Sequence, residues 1–441
     1  MTYKQAVLLL CAMLAAAHPA IAQTAAPAPA EGVDARPQVP APPPDPDEDR
    51  GKTPFDRQRD EERGDSFTPR GARVGTFILF PSVNLSSEWN SNVFAESANE
   101  VSDTILRVKP IMLLRSDWEQ HFLAVEASAE AVRFMEYTSD DQNNASLSVR
   151  GNYDASEALK FNARVASDFG HEERGDPDAV NGVEPTPTRQ YTGKVGVEYR
   201  PARVGVTVNN EVVQRDYDDV SALGGAPINN DDRDRLSNKT TVRLGYEYLP
   251  DTDAFVELGY NVVRYDQPID DAGYRRDSNG QRVGIGTEID FTGVTVGEVF
   301  VGWARQDYED ARLETFSGID FGSSLRWNAT KLTTARLSVT RSIDEVTNAG
   351  ASGRTSTSGR VDLEHELLRN LVTAAYGSYM LGEYSGITQE DETWSAGLKA
   401  TYQMNRYLQL EPLFDHRKRT SNVPSAAFTQ SVARLNVTTR F

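Results

Sequence analysis

The groups in this chain that could do chemistry are four histidines, several acidic loops and a regular scatter of arginine, lysine and glutamate. A catalytic centre needs a nucleophile, a base and an orienting group, or a metal with its ligands, brought together at a recognisable spacing. His121 falls at a short turn, His171 in the acidic run His171-Glu172-Glu173-Arg174-Gly175-Asp176, and His365 and His416 on separate amphipathic runs. No Ser/His/acid grouping or metal-ligand spacing surrounds any of them. A fifth histidine, His18, and the one cysteine, Cys11, lie in the N-terminal apolar run. The rest of the chain therefore has no cysteine for a disulfide, a zinc-thiolate site or a thiol nucleophile. The residues read as a protein without catalytic machinery or cofactor. The acidic loops are either solvated or hold divalent cations shared with lipopolysaccharide phosphates.

The remaining charges occupy alternate positions of runs whose other positions are apolar. Tyr191, Gly193, Val195, Val197 and Tyr199 point one way, against Lys194 and Glu198 on the other. Val242, Leu244, Tyr246 and Tyr248 oppose Arg243, and Val256, Leu258 and Tyr260 oppose Glu257. Period-two alternation sustained over runs of about ten residues is the pattern of strands in a transmembrane β-barrel, apolar outward and polar inward. With the apolar face outward, Arg107, Lys109, Glu126, Glu130, Arg150, Arg164, Lys194, Glu198, Arg243, Glu257, Arg326, Arg336, Lys399 and Glu411 become lumen-facing candidates. Such groups either keep the interior hydrated and hold the wall in shape, or line a hydrophilic conduit for a large polar solute. No single dominant positive constriction of the kind a narrow anion pore uses is visible.

Turn signals recur about every 40 residues, at 116–117, 154–156, 200–202, 250–253, 292–293, 329–331, 368–370 and 404–405. Between them lie longer acidic, Gly/Asn/Pro-rich segments, most clearly 170–187, 216–234, 266–280 and 342–353. Short turns at one end and long loops at the other is the barrel rule. The segments number about eighteen, from 76–90 to 427–441, an even count that brings both ends of the chain to the short-turn side. Around 373–381 apolar residues fall on both faces, which leaves the register there open. The expected fold is an all-β, antiparallel transmembrane barrel over 74–441.

The ends of the chain fit that reading. Lys4, the apolar run 6–17 and the small-x-small site Ala20-Ile21-Ala22 predict a signal peptide over 1–22. Leu10 stands where a lipoprotein signal needs a small residue, so Cys11 reads as part of the apolar run. Residues 23–73 are Ala/Pro-rich and then densely charged, a composition that predicts a disordered periplasmic segment, either a plain tether or a contact for peptidoglycan or a partner. No later segment has the ~20 apolar residues a membrane helix needs, and mean hydropathy is -0.52, as an alternating barrel allows. The net charge of -19 excludes nucleic acid as a partner. The last run places Ala433, Leu435, Val437, Thr439 and the terminal Phe441 on one face, with Arg434, Asn436, Thr438 and Arg440 on the other. Leu435, Val437 and Phe441 are the candidate signal for the barrel assembly machinery. Outer-membrane lipid and lipopolysaccharide are the expected surroundings.

The early strands carry a more specific likeness. They read Phe80-Pro81-Ser82-Val83-Asn84-Leu85, Glu88-Trp89-Asn90-Ser91-Asn92-Val93-Phe94, Ser102-Asp103-Thr104-Ile105, Val108-Lys109-Pro110, Leu113-Leu114-Arg115-Ser116-Asp117-Trp118 and Gly151-Asn152-Tyr153-Asp154. This resembles the outer-membrane beta-barrel porin family associated with capsule and exopolysaccharide export loci. Its pattern has a Pro-Ser opening, a Tyr-Asp-x-Asn-Val/Ile-Phe element, a Ser-Asp start to the second strand and a later Arg-Tyr-Asp. Here Trp89-Asn90 and Asn152-Tyr153-Asp154 depart mildly from it. The resemblance spans 74–441 and implies a barrel of about eighteen strands. It also implies a role in polysaccharide secretion across the outer membrane, with polysaccharide and periplasmic export factors as partners. General diffusion or nutrient uptake, and a structural or adhesive surface role, are the alternatives.

Overall fold

The computed structural model describes residues 67–180, 182–250, 252–291 and 294–441. The signal-peptide reading and most of the 23–73 segment lie outside them. The described chain is a sheet of long antiparallel strands, each hydrogen-bonded to its sequence neighbour and closed first-to-last. In chain order these are β1 (Phe77–Asn90), β2 (Asp103–Ser116), β3 (His121–Phe134), β4 (Gln142–Asp154), β5 (Leu159–His171), β6 (Pro187–Tyr199), β7 (Val204–Tyr217), β8 (Arg235–Leu249) and β9 (Thr252–Tyr265). They continue as β10 (Ser278–Phe291), β11 (Thr295–Tyr308), β12 (Phe316–Thr330), β13 (Thr333–Asp344), β14 (Gly353–Leu368), β15 (Leu371–Ser385), β16 (Glu390–Gln403), β17 (Leu408–Ser421) and β18 (Phe428–Arg440). The barrel thus has eighteen strands, and their bounds fall within a few residues of those the alternation predicts. A short strand, Ala72–Val74, folds back on β1 through Gly75, whose φ of +63° suits glycine, so pairing begins slightly before residue 74.

One end carries tight turns and the other carries the long loops, including a small hairpin of Val220–Ser221 with Pro227–Ile228. Both β1 and β18 meet the short-turn end, where the Phe441 amide donates to the Pro81 carbonyl. Side chains alternate across the wall as the strand pleat dictates. Leu85, Trp89, Val256, Ile285, Val301, Leu398 and Leu435 are exposed on the outer face. Outward aromatics collect in two belts. Trp89, Phe169, Tyr260, Trp303 and Trp394 lie toward the long-loop end, and Tyr199, Tyr246, Tyr248, Trp327, Tyr402, Tyr407 and Phe441 toward the short-turn end. An apolar band between aromatic girdles matches a bilayer with its two interfaces.

The open register at 373–381 is settled by pairing with β14 and β16. Tyr376 shares the inner face with Asp362 and Asp415, donates its hydroxyl to Asp415 and lies under the Arg360 guanidinium at 3.9 Å. An aromatic on the inner face is what blurred the alternation there. Phe255 and Phe300 are also inward and buried, filling the space that Gly286 and Gly284 leave on neighbouring strands.

Closure rests on the β1–β18 seam, registered from Ser82↔Arg440 to Asn90↔Val432. On its inner face Glu88, 3% exposed, accepts hydrogen bonds from Arg107 on β2 and from Arg434 on β18, the latter at 2.6 Å from Nε. Asn84 donates to Thr438 at 2.8 Å beside them. One carboxylate thus joins three strands across the seam. Replacing it leaves two guanidinium groups buried without their anion, so Glu88→Ala should cost about 3–5 kcal/mol. In urea unfolding of the refolded barrel, monitored by gel mobility without heating, its midpoint should fall well below that of an outward Ser87→Ala control.

Candidate functional site

The inner wall is largely polar, and pairing across strands decides which charges are neutralised. Arg243 sits at the centre of the densest cluster. It donates to Glu257 on β9 at 2.7 Å, to Glu288 on β10 at 3.0 Å and to Glu298 on β11 at 2.7 Å, while its guanidinium lies 3.9 Å over the Phe255 ring. Next to it Arg282 stacks 4.1 Å over Phe300 and pairs with Asp320. On the next strands Arg326 lies directly opposite Arg336, which donates to Glu364 at 3.1 Å. Lys399 pairs with Glu411 at 3.7 Å, and Glu411 also accepts from Thr401 and Asn436. Buried charges persist in a wall only when paired and hydrogen-bonded, and these are.

The wall of β2–β7 is arranged differently. Arg107 is held in the seam by Glu88, and Lys109 lies on the same face between the buried Ile105 and Ile111. Glu126 faces Leu113, and Glu130 accepts from Asn144 at 3.4 Å. Arg150 lies 5.3 Å over the Phe122 ring. Arg150, Arg164 and Lys194 are directly opposed on β4, β5 and β6, and Lys194 pairs with Glu211 on β7 at 2.9 Å. Glu198 faces Lys160. The fourteen lumen candidates thus share the face opposite the exposed apolar residues, and that face includes a carboxylate-rich zone on β8–β12 and a cation-rich zone on β4–β6. Of the assembly candidates, Leu435 and Phe441 are exposed outward, and Phe441 packs on Tyr407 with ring centroids 5.8 Å apart. Val437 pairs with Leu85 across the seam.

The long-loop mouth is bridged. The segment 172–186 leaves β5 and reaches β17, where Arg419 donates to the Gly175 carbonyl at 2.9 Å and Arg417 pairs with Glu173. Asp178 accepts from both the amide and the hydroxyl of Thr347 at 3.0 Å, in the loop between β13 and β14. Arg233, almost fully buried, donates to Glu172, and Arg174 donates to Asp140 at 2.7 Å. Arg276 donates to the carbonyls of Val346 and Ala351 at 2.7 and 2.9 Å. These loop arginines escaped the sequence reading, which treated the acidic loops as solvated. The available signal was the single basic residues within acidic runs, Asp231-Asp232-Arg233-Asp234 and Asp270-Asp271 before Arg275-Arg276.

The histidines stand apart. His121 rests on Tyr153, His171 contacts Asn144, His365 contacts Thr333 and His416 contacts Ser431. Among the described residues one acidic trio, Asp216, Asp234 and Asp266, brings oxygens within 4.8 Å of one another at the long-loop rim. Asp234 there accepts from the Tyr217 amide at 2.7 Å, and the Asp266 amide donates to the Asp234 carbonyl at 2.9 Å, so the trio also serves to fasten the loops.

A family model described as "Putative beta-barrel porin 2" matches residues 65–441. No curated protein is matched. Solved structures similar to the chain include OccK3 (OpdO) of Pseudomonas aeruginosa, at 13% identity over 82% of this chain and 95% of that one, with a TM-score of 0.43. The copper transporter OprC is 11% identical over 85% of this chain and 82% of that one, with a TM-score of 0.46. The ferric citrate transporter FecA is 7% identical over 77% of this chain, which spans 60% of FecA's length, with a TM-score of 0.44.

Beneath the bridge, Glu345 is buried against the Tyr265 hydroxyl at 3.1 Å and the Ser278 hydroxyl at 3.4 Å. Burial raises its carboxyl above the usual carboxylate range, against the opposing pull of Arg235 and Arg276. The fastened loops therefore hold the proton more tightly than released ones. Their stability is fully present below the ordinary glutamate value and declines as pH rises through the raised one. Hydrogen exchange of the 345–352 amides should show opening becoming easier across that window, and Glu345→Gln should flatten the dependence.

Proposed function

The chain belongs to the "Putative beta-barrel porin 2" family, and we propose that it is an outer-membrane channel that carries exopolysaccharide or capsule polymer outward. The observation that carries this reading is the largely polar wall inside an apolar exterior, with zones of paired charge and of directly opposed cations. The barrel sits in lipid through its outward leucines, valines and aromatic belts, with lipopolysaccharide around the long-loop rim. The short turns, the start of β1 and the end of β18 face the periplasm, where export factors would dock, and the terminal strand engages the assembly machinery.

A general diffusion or nutrient porin would use the same polar wall. The bridged mouth favours the exporter, because a diffusion porin works with an open path, whereas a polymer exporter must stay shut between substrates. An adhesive surface barrel would need its acidic loops free, but Arg233 ties 218–234 to 172–186.

Two measurements separate the exporter from the diffusion porin, and a third checks membrane insertion. In planar bilayers the wild type should show long closed periods, and deleting 173–180 should convert it to a large steady conductance. A wild type that is already steadily open belongs to a diffusion porin. Deleting the gene should abolish surface polysaccharide and leave small-solute uptake unchanged, and unchanged polysaccharide would reject the export role. Membrane insertion is checked by Leu398→Arg on the outer face, which should destabilise the barrel in vesicles by about 2–4 kcal/mol if the position lies near mid-bilayer.

A further inference from the structure

We propose that the inner wall of β4–β7 is a binding patch for acidic sugar units, which makes the solute of this channel an anionic saccharide. This rests on the reading that a saccharide passes through the lumen.

Two neighbouring rows of side chains make the patch. The first is Arg150, Arg164 and Lys194, directly opposed across three adjacent strands. Side chains so opposed have Cβ atoms about 4.5–5.5 Å apart, and like charges in that position repel. The repulsion is relieved at the edges only. Lys194 is neutralised by Glu211, and Arg150 is propped on Phe122. Arg164, in the middle, makes no ion pair among the described residues and is exposed, although it lies on the inner face. Its fork of N–H donors is free to meet a carboxylate arriving from the lumen.

The second row lies one inward step closer to the short-turn end. It runs Asn152, Asn162, Gly196 and Asn209 in direct register. Gly196 leaves the gap into which the Asn162 and Asn209 amides point, since a Cβ there would sit 2.4 Å from Asn162 Nδ2 and from Asn209 Oδ1. Asn162 is 3% exposed, yet its Nδ2 has no hydrogen-bond partner among the described residues. A buried amide donor left unmatched costs stability, and a ligand hydroxyl is the kind of group that satisfies it. Cations beside a line of amides complement a molecule that carries a carboxylate next to hydroxyls, as a uronic acid unit does. The β8–β12 wall offers no such place, because Arg243 and Arg282 there are already surrounded by carboxylates.

The test is equilibrium binding by calorimetry on the full-length chain refolded in detergent micelles. The probes are linear oligogalacturonate, maltodextrin of equal length as the uncharged saccharide, and polyglutamate as the polyanion without sugar hydroxyls. Oligogalacturonate should bind at least about tenfold more tightly than either comparator, and Arg164→Gln should remove about tenfold of that affinity. Asn162→Ala should weaken both saccharides and leave polyglutamate unchanged. Arg164→Lys keeps the charge and should retain most of the binding, and gel mobility without heating verifies that each variant is folded. Equal binding of the two saccharides, equal binding of polyglutamate, or an unaffected Arg164→Gln would each overturn the patch. Binding is read without any current. A wild type that binds oligogalacturonate but never conducts keeps the patch and rejects the channel, whereas one that conducts but binds no oligogalacturonate rejects the patch alone.

Discussion

A sheet in lipid has no water to satisfy the amides at its edges, and the whole structure follows from removing those edges. The β1–β18 ladder does this, and the polar side chains over it are buried: Glu88, Asn84, Arg434, Asn436 and Thr438. Once closure is imposed, the pleat sends alternate residues to lipid and to the interior. The outer face must then be apolar. The inner face must be polar or packed, and each charge on it needs either water or an opposite charge within reach.

Those demands divide the interior. Where carboxylates and guanidinium groups alternate across strands, as around Arg243 and Arg282, the wall is self-sufficient, and inward phenylalanines fill the gaps left by glycines. Where cations face cations, as at Arg150, Arg164 and Lys194, the central Arg164 is left without an ion pair among the described residues. A single scaffold rule thus yields one structural zone and one receptive zone, and the difference lies in a few residue choices at equivalent positions.

Much of the fold was legible in the sequence because its rule is local. Alternation in Val195–Val197 or Leu244–Tyr246 states which face meets lipid without knowledge of any other strand, and turn spacing then counts the strands. Tyr376 hid the register of β15 because an inward aromatic looks like an outward one until its partner, Asp415, is known. The ion pairs were out of reach for a related reason. Glu88 and Arg434 are 346 residues apart, and only closure makes them neighbours. The bridged mouth was missed because loop residues carry no period, so Arg233 and Arg276 looked like surface charge. The two rows on β4–β7 fell between these cases: the cations were visible singly, but their alignment needed the register.

The bridge over the mouth also fixes an order in time. Its fastenings join residues far apart along the chain, 169 positions between Asp178 and Thr347 and 244 between Gly175 and Arg419. Contacts of such separation wait until the intervening strands are zipped. The segment 172–186 can reach β17 only after β5 and β17 already stand on one closed wall. A newly inserted barrel therefore completes its wall before these loops join, and fastening them across the mouth is the last step of its maturation.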